Sequence, residues 1–169
     1  AYQKVKEYVS IPIQKEYDIV ITHGGFVGIN HYQTAKAAVV SIPVVKKGGT
    51  LILLADNTDS DPVGSTKYRT CLHLLKLFGT AKFKKLLQSP DWQFVPEQWQ
   101  VQMWMKVFEK IEMENFVYYA PQVSQEDYAW IPGTDGNTFL PKEKQYKEQK
   151  GNSVHMIQTI IQGKSRQSS

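Results

Sequence analysis

The feature that most constrains this chain is the order of elements between residues 17 and 56: an apolar run, a glycine turn, a helical stretch, a second glycine pair and another apolar run. "YDIVIT" (17–22) is short, β-branched and preceded by the charged "QKE", which reads as a buried strand. "HGGFVG" is a turn. Asn30 then stands where an N-cap belongs, with Gln33 three residues on in the manner of a capping box. The helix is predicted from His31 towards Ser41, because Pro43 ends or kinks it. "KKGG" reads as a helix stop, two cations in the last turn and then glycines. "TLILLAD" (50–56) is the second buried strand. Strand, helix and strand in this order make a βαβ unit with parallel strands. Strands this apolar need cover on both faces. The expected fold is a layered α/β domain, a parallel or mixed sheet with helices on both faces, opening with a Rossmann-like βαβ unit.

A chain of 169 residues suffices for one domain with a sizeable core. Residues 1–150 are assigned to a single α/β domain and 151–169 to a tail of undecided structure. "AYQKVKEYVS" places Val5, Tyr8 and Val9 on one helical face. It fits a short first helix as well as a piece of a longer protein entered midway. After the polar loop "DNTDSDPVGSTK" (56–67), two helical stretches are predicted at 67–78 and 80–88, broken at Gly79. A further helix should start near Pro96, with Val101, Trp104, Met105, Phe108 and Ile111 at helical spacing. "NFVYYAP" (115–121) reads as a third strand and "SQEDYAW" as a short helix capped by Ser124. From "IPGTDGN" onward the signal weakens: "PKEKQYKEQK" is polar, and "SVHMIQTIIQG" fits a helix or a strand.

Composition narrows the function classes. The net charge is +4, and lysines alternate with glutamates rather than forming a basic stripe, so no nucleic-acid partner is expected. No apolar run approaches the roughly 20 residues of a membrane helix, and no membrane partner is expected. Cys71 is the only cysteine, which suits a reducing, cytoplasmic setting. No histidine pair has convincing metal-ligand spacing. His23 ends a strand, His31 adjoins a helix start, and His73 is two residues from Cys71. No metal is expected on this chain alone.

Two features carry candidate chemistry. Gly24, Gly25 and Gly28 lie between a strand and a helix N-terminus, a place where bare amides and the helix dipole hold anions in many α/β proteins. The dinucleotide fingerprint is partial, since His23 stands where its first glycine belongs and Asp56 comes late. The glycines serve a tight turn equally well. The helix start is the second feature. Tyr32 and Lys36 are four residues apart and share a face, with Gln33 one position round. A phenol, an amide and an ammonium outside the carboxyl end of a strand can hold a small carboxylate or hydroxy acid. Alternatively Gln33 caps the helix, Lys36 is solvated and Tyr32 packs on the sheet edge. Trp99 lies off the face defined by Trp104 and Phe108, as a wall of a site or an interface would.

The stretch running from "YDIVITHGG" through "HYQTAKAA" to "VVKKGGTLILLAD", with its Tyr-Gln-x-x-Lys helix start, resembles the C-terminal domain of the nickel-dependent lactate racemase family. "PEQWQVQMWMKVFEK" is similar to a Gln-Trp-x-x-Gln helix start later in that domain, and the likeness covers about residues 1–130. The resemblance implies a two-domain enzyme, an isomerase that racemises or epimerises a small 2-hydroxy acid by hydride transfer to a nickel pincer nucleotide. The cofactor and the acid/base histidines would belong to a separate N-terminal domain. Lys36 and Gln33 would serve catalysis and substrate binding, with Tyr32, Gly24, Gly25 and Trp99 lining the cleft. This chain alone would be inactive and would hold no cofactor. The chain departs from the family in having "FVGIN" where a Pro-Leu-Asp segment is usual, which leaves the hydroxy acid open. A stand-alone nucleotide- or anion-binding α/β module without catalysis, or an interaction domain, remains as the alternative reading.

Overall fold

The computed structural model of the chain describes residues 2–139. "PKEKQYKEQK", the "SVHMIQTIIQG" stretch and the tail 151–169 lie outside the described residues. Four strands form one sheet in the order β1 (Tyr17–His23), β2 (Val45–Leu54), β3 (Phe116–Tyr119) and β4 (Thr134–Asp135), and every pair is parallel. The βαβ unit is therefore present, with α2 (His31–Ser41) as its helix. The two residues of β4 are too few to display an alternating pattern, so the sequence offered no sign of them.

The second glycine pair is not a helix stop. α2 ends before Pro43, a 3-10 turn at Ile42–Val44 follows, and β2 already begins at Val45. Lys46, Lys47, Gly48 and Gly49 are strand residues. Tyr17 pairs with Val45 but Ile19 with Thr50, so the extra residues of β2 bulge outward. Gly48 has φ +73, and a Cβ on Gly49 would lie 2.9 Å from the carbonyl oxygens of Asp18 and Lys46. The glycines answer to that bulge. Lys46 meets Asp18 at 2.8 Å across it.

Alternation along the strands separates two faces. Val20, Leu51, Leu53, Phe116 and Tyr118 join the main core with residues of α2, α3 (Thr66–Leu87) and α4 (Gln98–Phe108). Ile52, Val117 and Tyr119 point the other way and pack with Leu54 and with Phe139 from a 3-10 turn at Gly136–Phe139. α3 is broken at Gly79, where φ is +70 and ψ 169, as the glycine predicted. α4 starts two residues beyond Pro96, because Glu97 takes a left-handed conformation (φ +73) and forms the entry. Its Val101, Trp104, Met105 and Phe108 are buried, as is Ile111 beyond it. In α1 (Tyr2–Val9) no residue is buried. Ser124 caps α5 (Gln125–Tyr128) by accepting from the Asp127 amide. Among the described residues, no helix is long and apolar enough to cross a membrane.

Candidate functional site

α2 begins just past the carboxyl end of β1, and local polar contacts fix its start. Asn30 Oδ1 accepts from the Gln33 amide at 2.8 Å, the first half of a capping box. The reciprocal half is absent. The Gln33 side chain turns outward instead, and its Oε1 accepts from Lys36 Nζ at 2.6 Å. Asn30 is held in turn by Asp59 at 2.7 Å. Tyr32 is half-buried, with its ring edge-on to Tyr68 at 5.3 Å. Its hydroxyl accepts from Trp99 Nε1 at 2.9 Å, and its carbonyl accepts from Gln100 Nε2 at 2.5 Å. The fold thus brings Tyr32, Gln33, Lys36 and Trp99 to one place, although Trp99 belongs to α4. Gln100 is buried and Trp99 exposed, so one helix start supplies both the tie to α2 and an outward-facing indole.

The glycine turn lies beneath this group. Gly24 is buried and its amide donates to the Leu54 carbonyl at 2.8 Å, prolonging the sheet ladder. The Gly25 amide donates to His23 Nδ1 at 3.1 Å, and the Gly28 amide approaches the Gly25 carbonyl at 3.4 Å. A Cβ on Gly28 would stand 2.8 Å from Gly24 Cα. The turn folds back on its own backbone, and only hydrogen atoms fit between. The first helical amides are engaged too: His31 N donates to the Pro62 carbonyl and Gln33 N to Asn30. A phosphate cradle needs such amides unpaired.

Several residues that support the site gave no signal in the sequence. Asn57, in the polar loop, is buried. Its Nδ2 donates to the Gly28 carbonyl at 2.8 Å and its Oδ1 accepts from Tyr118 at 2.5 Å. His31 is also fully buried and stacks on Trp104 at 4.5 Å. Burial lowers its pKa to about 3, so the ring stays neutral. Tyr68 accepts from Trp104 Nε1 at 2.8 Å and shares a 2.9 Å hydrogen bond with His31 Nδ1. His31 Nε2 has no hydrogen-bond partner among the described residues. His23 is exposed at the turn, and His73 packs against Trp130 at 5.0 Å. No group of three or more His, Cys, Asp or Glu among the described residues is arranged to hold a metal ion.

No curated protein matches the chain. The solved structure of the lactate racemase apoprotein from Thermoanaerobacterium thermosaccharolyticum matches it with a TM-score of 0.62 at 22% identity. That match covers 79% of this chain but 32% of the other, so the chain spans about a third of the length of that racemase. At this identity the likeness is one of fold. The family likeness is independent of it: the model of the lactate racemase C-terminal domain matches residues 13–130, well over half of the 169-residue chain. Strands β1, β2 and β3 with the α2 crossover and the Tyr-Gln-x-x-Lys start all fall inside that span, and the chain belongs to the lactate racemase C-terminal domain family.

Proposed function

We propose that this chain forms the substrate-side wall of the cleft in a 2-hydroxy acid racemase or epimerase of the lactate racemase type. The facing wall, on a separate N-terminal domain, would hold a nickel pincer nucleotide. The observation that carries the reading is the Tyr32–Trp99 hydrogen bond beside the exposed Gln33–Lys36 pair. It brings the indole of α4 against the polar groups of α2 at the carboxyl end of a parallel sheet, where α/β proteins bind their ligands. These groups are donors to a substrate and not metal ligands, which fits a position opposite the cofactor. When bound, the nucleotide supplies the hydride acceptor and donor for C2 of the hydroxy acid.

The chain's own groups position the substrate. Lys36 spends one N–H on Gln33 and keeps two for a carboxylate. The same ammonium would offset the negative charge that grows on the C2 oxygen as its proton passes to an acid/base histidine of the N-terminal domain, the charge that departure of the hydride from C2 then discharges into the carbonyl. Tyr32 accepts from Trp99, so its own O–H is left to donate outward. With Oε1 on Lys36, the Gln33 amide nitrogen faces away from the ammonium and can donate to the same substrate. A single cysteine suits a reducing, cytoplasmic location.

The test is Lys36→Ala in the cofactor-loaded two-domain enzyme. Loss of a charge-assisted contact of about 1.5–3 kcal/mol lowers the rate on the order of 10- to 100-fold. The melting temperature should hardly move, since Lys36 is exposed. Unchanged turnover of the best 2-hydroxy acid would refute the role of Lys36. A matching collapse of stability would make the residue structural instead.

A further inference from the structure

We infer that Phe94 and Trp99 form a built aromatic platform that selects 2-hydroxy acids carrying a planar aromatic group on C3. The inference rests on the cleft proposed above and narrows its substrate class. Phe94 and Trp99 stack nearly parallel, with ring centroids 5.8 Å apart and planes 13° from each other. Both are open to solvent, Phe94 by 64% and Trp99 by 47%. A lone exposed aromatic needs no explanation, but this pair is held in place from below. The buried Gln98 accepts from Trp92 Nε1 at 3.0 Å and from the Val95 amide at 2.8 Å. Phe94 lies between those two donors in the chain, so its backbone is anchored at both sides. Trp99 is fixed from its other edge by the 2.9 Å bond to Tyr32.

The arrangement continues from Phe94 through Trp99 and Tyr32 to the Gln33–Lys36 pair one helical turn on. One end offers apolar π-surface and the other an ammonium. Lys36 shares a helical face with Tyr32, which bonds Trp99, so an acid whose carboxylate is held at Lys36 would have the rings on the same side. The methyl of lactate would leave the platform wet. A phenyl group would cover it, and offset stacking favours it beyond simple area burial. Among the described residues, neither ring has a cation stacked on it that would favour a polar substituent.

Two measurements test this. In the cofactor-loaded enzyme, the ratio of kcat/KM for 3-phenyl-2-hydroxypropanoate to that for lactate is compared among wild type, Phe94→Ala and Phe94→Trp. Loss of one aromatic contact corresponds to about a two- to tenfold fall in that ratio for Phe94→Ala. Phe94→Trp should retain it within about twofold. In the cofactor-free protein, the Trp99 indole N–H resonance, assigned with Trp99→Phe, is followed while each acid is added. The phenyl acid should shift it saturably and lactate should not. Turnover of lactate with a ratio indifferent to Phe94→Ala, or equal indole shifts with both acids, would overturn the platform and leave the racemase reading standing. Failure of every 2-hydroxy acid to turn over would sink the racemase reading. The indole titration would then decide the platform alone, with no shift counting against it.

Discussion

His31 shows how one residue ties the site to the core. Its ring lies between Trp104, Tyr68 and Tyr118, and its backbone opens the helix that presents Tyr32, Gln33 and Lys36. Burial lowers its pKa from 6.5 to about 3, so the folded protein resists protonation that the unfolded chain accepts. The stabilisation is complete above the unfolded value and is lost as pH falls from about 6.5 towards 3. Asp18 and Asp61, held low by Lys46 and Arg69, add their own losses only at more acid pH, in the range where carboxylates titrate. The melting temperature should therefore already fall between about pH 6.5 and 4.5, ahead of the carboxylates. His31→Gln should melt lower at neutral pH but with a flatter slope over that interval. Parallel curves for the two proteins would show that His31 does not govern the slope.

At the scale of elements, the β1–α2 junction decides where the candidate groups stand. Its turn closes because Gly24 and Gly28 touch through their backbones. A methyl on Gly28 would meet Gly24 Cα at 2.8 Å, and its carbonyl carbon and oxygen at 3.0 Å. Backbone cannot retreat as a flexible side chain can, so Gly28→Ala should cost roughly 1–3 kcal/mol in chemical denaturation, the range of overpacking. Because α2 starts three residues later, the same substitution should disturb the Tyr32–Trp99 bond. The Trp99 indole resonance reports that displacement. An unshifted midpoint together with an unmoved resonance would mean that the turn tolerates a side chain.

For the whole molecule, Asn57 is a joint between layers. It links the Gly28 carbonyl of the turn to the Tyr118 hydroxyl of β3, and its amide nitrogen lies 3.4 Å from Thr34 of α2. Its backbone amide donates to Gln122 at 3.1 Å, drawing in the loop after β3. Asn57→Ala would leave the Gly28 carbonyl unpaired in the interior and the Tyr118 hydroxyl with Thr34 as its remaining partner. One such orphaned group costs about 1–3 kcal/mol, and a loss of that size in urea unfolding is expected. A loss below about 0.5 kcal/mol would show that the surroundings satisfy both groups without it.

Much of this architecture was legible because it rests on contacts within a turn or two of the chain. The apolar runs of β1 and β2, the Asn30 and Ser124 caps, the break at Gly79 and the spacing of Val101, Trp104 and Phe108 all express local geometry. The Tyr-Gln-x-x-Lys start was visible in the same way, since Tyr32 and Lys36 share one helical face with Gln33 one position round. "KKGG" misled because a cation–glycine stop and a glycine bulge are written with the same residues; the pairing of β1 with β2 chose between them. The second half of the capping box failed for a related reason, as Gln33 could bond back to Asn30 or forward to Lys36 and took the latter. Trp99 meets Tyr32 across 67 positions, Asn57 meets Tyr118 across 61, and His31 meets Tyr68 across 37. No local pattern encodes such pairs, because a side chain's type states what it can bond and not where the backbone will carry it. The sequence by itself determined the elements and the residues able to do chemistry. Tertiary packing decided which of them stand together, by closing loops of tens of residues around one buried core.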